Sequence, residues 1–118
     1  FYLALLNSAA MGIPADTNIS FDSLGNPFSV NIGFFEVCQP FGCYTCPDGT
    51  NELVGTGMQG NVGGGSKWLK TTAPIIPGET MVLELMTFDV SDGVWDTTVL
   101  LDEFEWGLNP ASVGTGYD

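Results

Sequence analysis

The sequence contains no histidine and only two basic residues, Lys67 and Lys70. Against these stand fourteen aspartates and glutamates, which gives a formal net charge of −12. Without histidine the chain lacks the usual general base, any Ser-His or Cys-His catalytic pair and the commonest zinc ligand. An acidic surface repels phosphate backbones and anionic lipids. We therefore expect no nucleic-acid partner, and no stretch approaches the roughly 20 apolar residues of a membrane span, so we expect no membrane insertion.

Long helical periodicity is also missing. The chain has sixteen glycines, and its apolar runs break repeatedly at glycine, proline and asparagine, which is typical of short strands joined by turns. These features predict an all-β fold, an antiparallel β-sandwich of the jelly-roll-like type with about seven strands. We expect one domain over residues 1–108 and a tail or linker over 109–118. The predicted strands are 1–6, 18–21, 28–37, 53–56, 68–71, 80–89 and 97–106, with a flexible loop at 60–66.

The three cysteines, Cys38, Cys43 and Cys46, lie in one short stretch interrupted by proline and glycine. No fourth cysteine or histidine completes a tetrahedral zinc site. The spacing instead predicts one local disulfide and an odd thiol that is free, pairs between molecules, or bonds a cysteine outside this sequence. A redox pair of Cys43 and Cys46 is the alternative, but no βαβ pattern surrounds it. Disulfide use indicates a secreted or cell-surface protein.

The segment 79–106 reads as one long hairpin whose loop centres on Asp92 and Gly93. In that register Asp89 faces Asp96, and like charges directly opposite each other in an antiparallel pair are unfavourable without a compensating partner. Hard Ca²⁺ ions take six to eight oxygen ligands in loops of this kind. We therefore predict a Ca²⁺ site formed by Asp89, Asp92 and Asp96. The alternative is a simple turn with solvated carboxylates at the ends of the hairpin.

Asp102 projects from an otherwise apolar face of the same hairpin. Its carboxylate must accept backbone N–H groups, lie near water at the sheet edge, or serve a second cation, and the last option makes it a fourth candidate metal ligand. Paired carboxylates are the only route to catalysis left, and a glycosidase using Glu84 with Glu103 or Glu105 is its one plausible form. Because these side chains fall on a flat sheet face, we expect no enzyme activity.

Two further segments are candidates for recognition. Trp95 lies in the acidic loop, where it is available to stack on a sugar ligand, although core packing is the commoner role of tryptophan. The apolar first strand is a candidate for strand addition to a neighbouring sheet edge. Asn18-Ile19-Ser20 matches the N-glycosylation sequon. The strand-addition candidates are Phe1, Tyr2, Leu3, Leu5 and Leu6.

Several motifs together resemble a known family. The run Trp68-Leu-Lys-Thr-Thr-Ala-Pro-Ile-Ile-Pro-Gly-Glu79 is followed by Asp96-Thr-Thr-Val-Leu-Leu-Asp-Glu-Phe-Glu-Trp106. This pairing is similar to the C-terminal half of bacterial choice-of-anchor domains, chiefly the type labelled L, and the resemblance extends from about Phe28 to Leu108. It implies a β-sandwich in an exported bacterial surface protein, with no catalytic activity to carry over. It also implies that the sequence begins inside the domain, with a partner for the odd cysteine before it.

The sequence therefore predicts a secreted, non-catalytic surface module for adhesion or ligand binding, stabilised by Ca²⁺. The alternative is a structural subunit of an extracellular fibre or layer that assembles by β-strand addition. Its partner is accordingly either a surface ligand or neighbouring copies of itself.

Overall fold

The computed structural model describes residues 1–29, 34–40, 45–60, 63–90, 93–94 and 96–118. Within these residues the fold is all-β, with six short strands, one 3-10 turn at Asn51–Leu53 and no α-helix. Strand β1 pairs with β5, β2 with β3, and β4 with β6, each as a two-stranded sheet. The strands are β1 Tyr2–Asn7, β2 Phe35–Cys38, β3 Gly64–Ser66, β4 Leu69–Thr72, β5 Val82–Thr87 and β6 Gly114–Tyr117.

The chain divides into two compact units. The first contains residues 1–29 and 71–116, and the second contains residues 30–70 and 117–118. The boundary therefore falls inside strands β4 and β6.

The first unit is built on the antiparallel pair of β1 and β5. Ala4 lies opposite Leu85, and Leu6 lies opposite Leu83. Ala4 and Leu6 are buried and form the core of this unit with Ile19. Because side chains alternate across a strand, the residues between them point to the opposite face of the sheet. The partly buried residues packed against this core are Tyr2, Ile13, Ala73, Met81, Leu83 and Val113.

The side chain of Asn18 hydrogen-bonds a loop to the edge of β1 that faces away from β5. Its Oδ1 accepts hydrogen bonds from the backbone N–H groups of Ala4 (3.2 Å) and Ser20 (3.1 Å), and its Nδ2 donates to the carbonyl of Ser20 (3.0 Å). Asn18 is itself buried. The amide thus satisfies polar backbone groups that would otherwise be buried without partners. β1 consequently has neighbours on both edges, with β5 on one side and isolated bridges to Asn18 and Phe28 on the other.

Glu79, at the end of the Pro-Gly-Glu motif, closes the turn before β5. Its carboxylate accepts hydrogen bonds from the hydroxyl of Ser8, the N–H of Ala9 (2.9 Å) and the N–H of Ile76 (2.9 Å). Gly78 adopts φ of +86°, a left-handed conformation that glycine takes without a side-chain clash. One side chain therefore joins the segment that follows β1 to the turn that precedes β5.

The second unit is organised around β2 and a disulfide. β2 pairs antiparallel with β3, with a register shift between Phe35 and Val37. Val37 is almost fully buried, together with Leu53 and both cysteines of the disulfide Cys38–Cys46. The unit is small, so the covalent link supplements a limited apolar core.

Three expected strands formed close to their predicted places, in β1, β4 and β5, whereas others did not. The expected strand at 53–56 is not formed: Leu53 ends the 3-10 turn, and residues 54–57 continue it as turns and bends, in which Gly55 and Gly57 have φ of +81° and +82°. The expected loop at 60–66 contributes β3, and the expected tail at 109–118 contributes β6, which pairs with β4. Two of the three residues of β3 and two of the four residues of β6 are glycine, which is depleted in strands, so neither segment was recognised as a strand. Of the expected strand at 28–37, residues 30–33 lie outside the described residues, and residues 35–37 belong to β2.

The predicted hairpin of 80–89 with 97–106 is wrong. β5 pairs with β1, while residues 97–106 contain no strand. Glu103 has φ of +52°, and its N–H is bonded to the carboxylate of Asp102 at 2.8 Å. A left-handed residue interrupts the regular extended backbone that a strand requires. The local hydrogen bond from the Glu103 N–H to the Asp102 carboxylate therefore takes the place of the cross-strand hydrogen bond that we expected.

The Glu79 contacts predict a pH-dependent contribution to stability. The three donors, Ser8 foremost, hold the pKa of the Glu79 carboxyl below its ordinary value of 4.5. A depressed pKa stabilises the folded state above the unfolded pKa, and this stabilisation is lost as pH falls through the folded pKa. We expect Glu79→Gln to lower the free energy of unfolding at neutral pH, measured by urea denaturation, and the difference from wild type to shrink below about pH 4. Glu105→Gln, which removes an exposed charge elsewhere, is the control, and an equal loss in both variants would contradict the role of Glu79.

Candidate functional site

Two of the predicted calcium ligands lie in one place. Asp89 and Asp96 line the same surface cavity, which has a volume of about 340 Å³ and follows the end of β5. The other lining residues are Thr87, Phe88, Gly93 and Thr97. Carboxylate, hydroxyl and carbonyl oxygens are the ligands that Ca²⁺ prefers. The cavity thus has suitable chemistry for a hard cation, although the hairpin that was expected to form it is absent.

The remaining two candidates are not joined to this cavity. Asp92 lies outside the described residues. Asp102 is exposed and is not among the residues that line the cavity. Its carboxylate accepts the N–H of Glu103, and that of Asp89 accepts the N–H of Val90 at 2.8 Å. Across the described ranges no cluster of three or more histidine, cysteine, aspartate or glutamate side chains is arranged to hold a metal. The structure therefore brings together two carboxylates of the predicted set.

The face of the β1–β5 sheet that points away from the core is apolar and exposed. We call it the outer face and define it by Leu3, Leu5, Val82, Glu84 and Met86. Val82 and Met86 are 52% and 47% exposed, and Leu3 and Leu5 are half-buried. At its end the rings of Phe1 and Phe88 stack, with centroids 5.4 Å apart. Large exposed apolar patches on acidic chains usually mark interaction sites.

Sequence reasoning found this face only in part. It predicted that Glu84 lies on a flat sheet face, but it assigned that strand a partner in residues 97–106. Pairing with β1 instead adds Leu3 and Leu5 to the surface. The signal that could have found this face is the unbroken apolar run at the N-terminus. Because successive side chains of a strand point to opposite faces, such a run places apolar side chains on both faces of the sheet.

Residues 97–106, expected to be a strand, form a second exposed apolar segment. Phe104 and Trp106 are more than half exposed and pack edge to face on each other at 5.2 Å. Glu103 and Glu105 share this exposed segment, while Glu84 lies on the outer face of the sheet. None of these three glutamates is among the described residues that line the cavity of Asp89 and Asp96. Trp95, the candidate for sugar stacking, lies outside the described residues.

The structure shows which two cysteines form the predicted local disulfide. Cys38 bonds Cys46 across eight positions, with a Cα–Cα distance of 5.1 Å. The alternative redox pair of Cys43 with Cys46 is wrong, because Cys46 is already bonded to Cys38. Cys43 lies outside the described residues.

Beside the disulfide, the second unit carries a small charged cluster. Lys67 Nζ lies 3.0 Å from Asp48 Oδ2 and 5.8 Å from the centre of the Tyr117 ring. A hydrogen bond to Glu36 is the main reason that the pKa of Tyr117 rises to about 12, and the pKa of Lys67 is raised chiefly by its bond to Asp48. The edge of the Phe34 ring packs on Tyr117 at 5.1 Å. Each carboxylate here has a local partner, so the cluster is structural in character.

Two features that we predicted to take part in recognition have structural roles within the fold. Asn18 of the sequon is buried with its Nδ2 bonded to Ser20, so attachment of a glycan would require the core of the first unit to open. The proposed strand-addition segment Phe1–Leu6 forms β1, which already has neighbours on both edges. Addition of this segment to a neighbouring sheet edge stays a prediction, and within the chain its alternate side chains Ala4 and Leu6 are core residues.

A helix long and apolar enough to cross a membrane is not found among the described residues. Comparison with known proteins found no matching family model, no matching curated protein and no matching solved structure.

The disulfide predicts a measurable share of stability. A crosslink across a loop of this length removes conformational freedom from the unfolded chain that is worth about 2 to 3 kcal/mol. We expect Cys38→Ser with Cys46→Ser to lower the free energy of unfolding by about this amount in urea. Met11→Ser, at a turn residue that is 93% exposed, is the control and should unfold like wild type. A wild-type stability that is unchanged by reducing agent would contradict the contribution of the bond.

Proposed function

We propose that this chain is a secreted, non-catalytic surface module for adhesion or ligand binding. The observation that carries the proposal is the exposed apolar outer face, on which Val82, Met86 and the stacked Phe1–Phe88 pair lie open to solvent. Burial of apolar area is the main driving force for protein association. An acidic chain gains solubility from its charge, so it can keep such a face exposed until a partner arrives.

The compartment in this proposal is supported by the Cys38–Cys46 disulfide, since such bonds persist in oxidising environments. The resemblance to bacterial choice-of-anchor domains supports a bacterial surface protein of β-sandwich, jelly-roll-like architecture. In that architecture the core face of the β1–β5 sheet is the packed layer, and the outer face is available for binding. The absence of histidine supports a module that binds rather than catalyses.

We include Ca²⁺ in the proposal as a stabilising ion at the cavity of Asp89 and Asp96. Two carboxylates on one cavity repel each other, and the first unit carries no lysine or arginine to compensate them. A divalent cation relieves that repulsion, as in extracellular modules of modest affinity.

This part is tested by thermal unfolding with EDTA and then with CaCl₂ at about 10 mM, where a site of millimolar or tighter affinity raises the midpoint by about 5 to 10 °C. Asp89→Asn with Asp96→Asn should abolish the rise. Glu103→Gln with Glu105→Gln removes the same charge outside the cavity and should keep it. NaCl at equal ionic strength controls for screening. A calcium effect that is identical in all three proteins would dispose of the cavity as the site.

The adhesive role is tested by retention of the fluorescently labelled chain on washed cells of the producing bacterium, with unlabelled chain as competitor. Val82→Thr with Met86→Gln keeps the size and neutrality of the outer face but removes apolar area. We expect a loss of saturable retention of about fivefold or more, on the basis of roughly 1 kcal/mol or more of lost burial. Met11→Gln, at a turn residue that is 93% exposed, is the control. Equal retention of both variants would count against the outer face as the binding surface.

A structural subunit of an extracellular fibre or layer is the second candidate. The observation that favours it is the outer edge of β5, which has no neighbouring strand among the described residues. With β1 engaged inside the chain, such a subunit would present β5 as an acceptor edge and not Phe1–Leu6 as a donor. Light scattering tests this candidate directly, because the average mass of assemblies of a fibre subunit increases with protein concentration.

A further inference from the structure

On the side away from β1, the backbone of β5 presents a row of groups that have no hydrogen-bonding partner among the described residues. Phe1 and Phe88 exchange two hydrogen bonds, from the Phe1 amine to the Phe88 carbonyl (2.8 Å) and from the Phe88 N–H to the Phe1 carbonyl (3.1 Å). Such doubly bonded pairs alternate along an antiparallel ladder. The even-numbered residues of β5 therefore face β1, while the N–H and C=O groups of Leu83, Leu85 and Thr87 face outward.

The opposite edge of β1 follows the same alternation. Tyr2 donates to Phe28 at 3.0 Å, and the Ala4 carbonyl accepts from Ile19 at 2.8 Å, so the even-numbered residues of β1 turn away from β5. That edge of β1 is filled, whereas the outer edge of β5 has no hydrogen-bonding neighbour in the described parts of the chain. An edge of this kind is a template for another strand.

Charge restricts what can occupy this edge. Ten of the fourteen carboxylates lie in the first unit, and neither lysine does. On the outer face Glu84 lies between Val82 and Met86, with Leu5 opposite it on β1. A second copy of this unit would bring further carboxylates to the edge and no lysine or arginine. Residues 97–106 of the same chain would bring three carboxylates to the edge. Their pairing with β5 would also place Asp96 beside Asp89, as in the hairpin that we expected from the sequence.

We propose that the outer edge of β5 accepts an added β-strand from another polypeptide, with apolar and basic side chains alternating along it. The added strand bonds the outward groups of Leu83, Leu85 and Thr87. Its lysine or arginine side chains lie on the outer face, with one opposite Glu84, and its apolar side chains lie on the other face, beside Leu83 and Leu85, of which Leu85 is 49% exposed. This inference rests on the proposed binding function and names the class of partner that the surface takes.

The probe is a fluorescein-labelled synthetic peptide in which lysine and valine alternate, long enough to span β5 and blocked at both ends. Two peptides separate strand addition from general attraction to an acidic protein. One has the same composition arranged as a lysine block and a valine block, and the other alternates glutamate with valine. We expect the alternating lysine peptide to bind at least about tenfold more tightly than either, by fluorescence polarisation at physiological salt.

The decisive variant is Leu85→Pro. Because the Leu85 N–H faces outward, proline removes it without breaking a bond to β1, and edge strands tolerate proline at such positions. We expect the affinity to fall at least about tenfold. Leu85→Val keeps the N–H and should bind like wild type, while Glu84→Gln should weaken binding of the lysine peptide. Thr87→Pro, at the last residue of β5, repeats the test if Leu85→Pro does not fold by circular dichroism.

Equal binding of the peptide to wild type and to a folded proline variant would overturn strand addition. No binding to wild type would also overturn it, since the edge would then be covered or inert. Concentration-dependent assembly that Leu85→Pro abolishes would assign the edge to a second copy instead. Cell retention through the outer face is measured separately, so the proposed function survives or fails on its own experiment.

Discussion

The first unit depends on the antiparallel pairing of β1 with β5, which joins segments about eighty residues apart in sequence. This pairing buries Ala4 and Leu6 and delivers Leu83 to the same core. Its two ends are fixed by different devices, the Phe1–Phe88 hydrogen bonds and ring stack at one end and the Glu79 carboxylate at the other. Loop-closure entropy opposes a contact between such distant segments. The burial of apolar side chains and the hydrogen bonds at the two ends must therefore act together to stabilise the pairing.

The same pairing generates the features on which function is proposed. Because β5 pairs with β1, its other edge has no neighbouring strand in the described parts of the chain, and residues 97–106 lack the partner that their sequence suggested. The exposed outer face and the acidic cavity both follow from this arrangement. One strand choice therefore links the core, the binding surface and the candidate cation site.

Local sequence signals were enough for part of this result. The high glycine content and the short apolar runs that end at turn residues predicted an all-β fold, and apolar runs located β1, β4 and β5. The disulfide class followed from cysteine spacing. What could not be predicted was the pairing partner of β5, because Leu100 and Leu101 are as plausible opposite it as Ala4 and Leu6. Register is specified by burial over long distances, and adjacent segments with the right alternation are favoured only by proximity. The same limit explains the site, where Asp89 and Asp96 come together without the expected hairpin.

The distribution of charge explains why an open strand edge can persist on this chain. Exposed edges invite self-association, and proteins commonly block them with lysine, proline or bulges. The first unit has no lysine, and β5 contains neither proline nor a bulge against β1. It has instead ten carboxylates, so two copies repel each other before their edges meet. Acidic charge thus acts selectively, because it discourages like copies and leaves the edge open to a basic strand. Specificity of this sort arises as much from what the surface rejects as from what it binds.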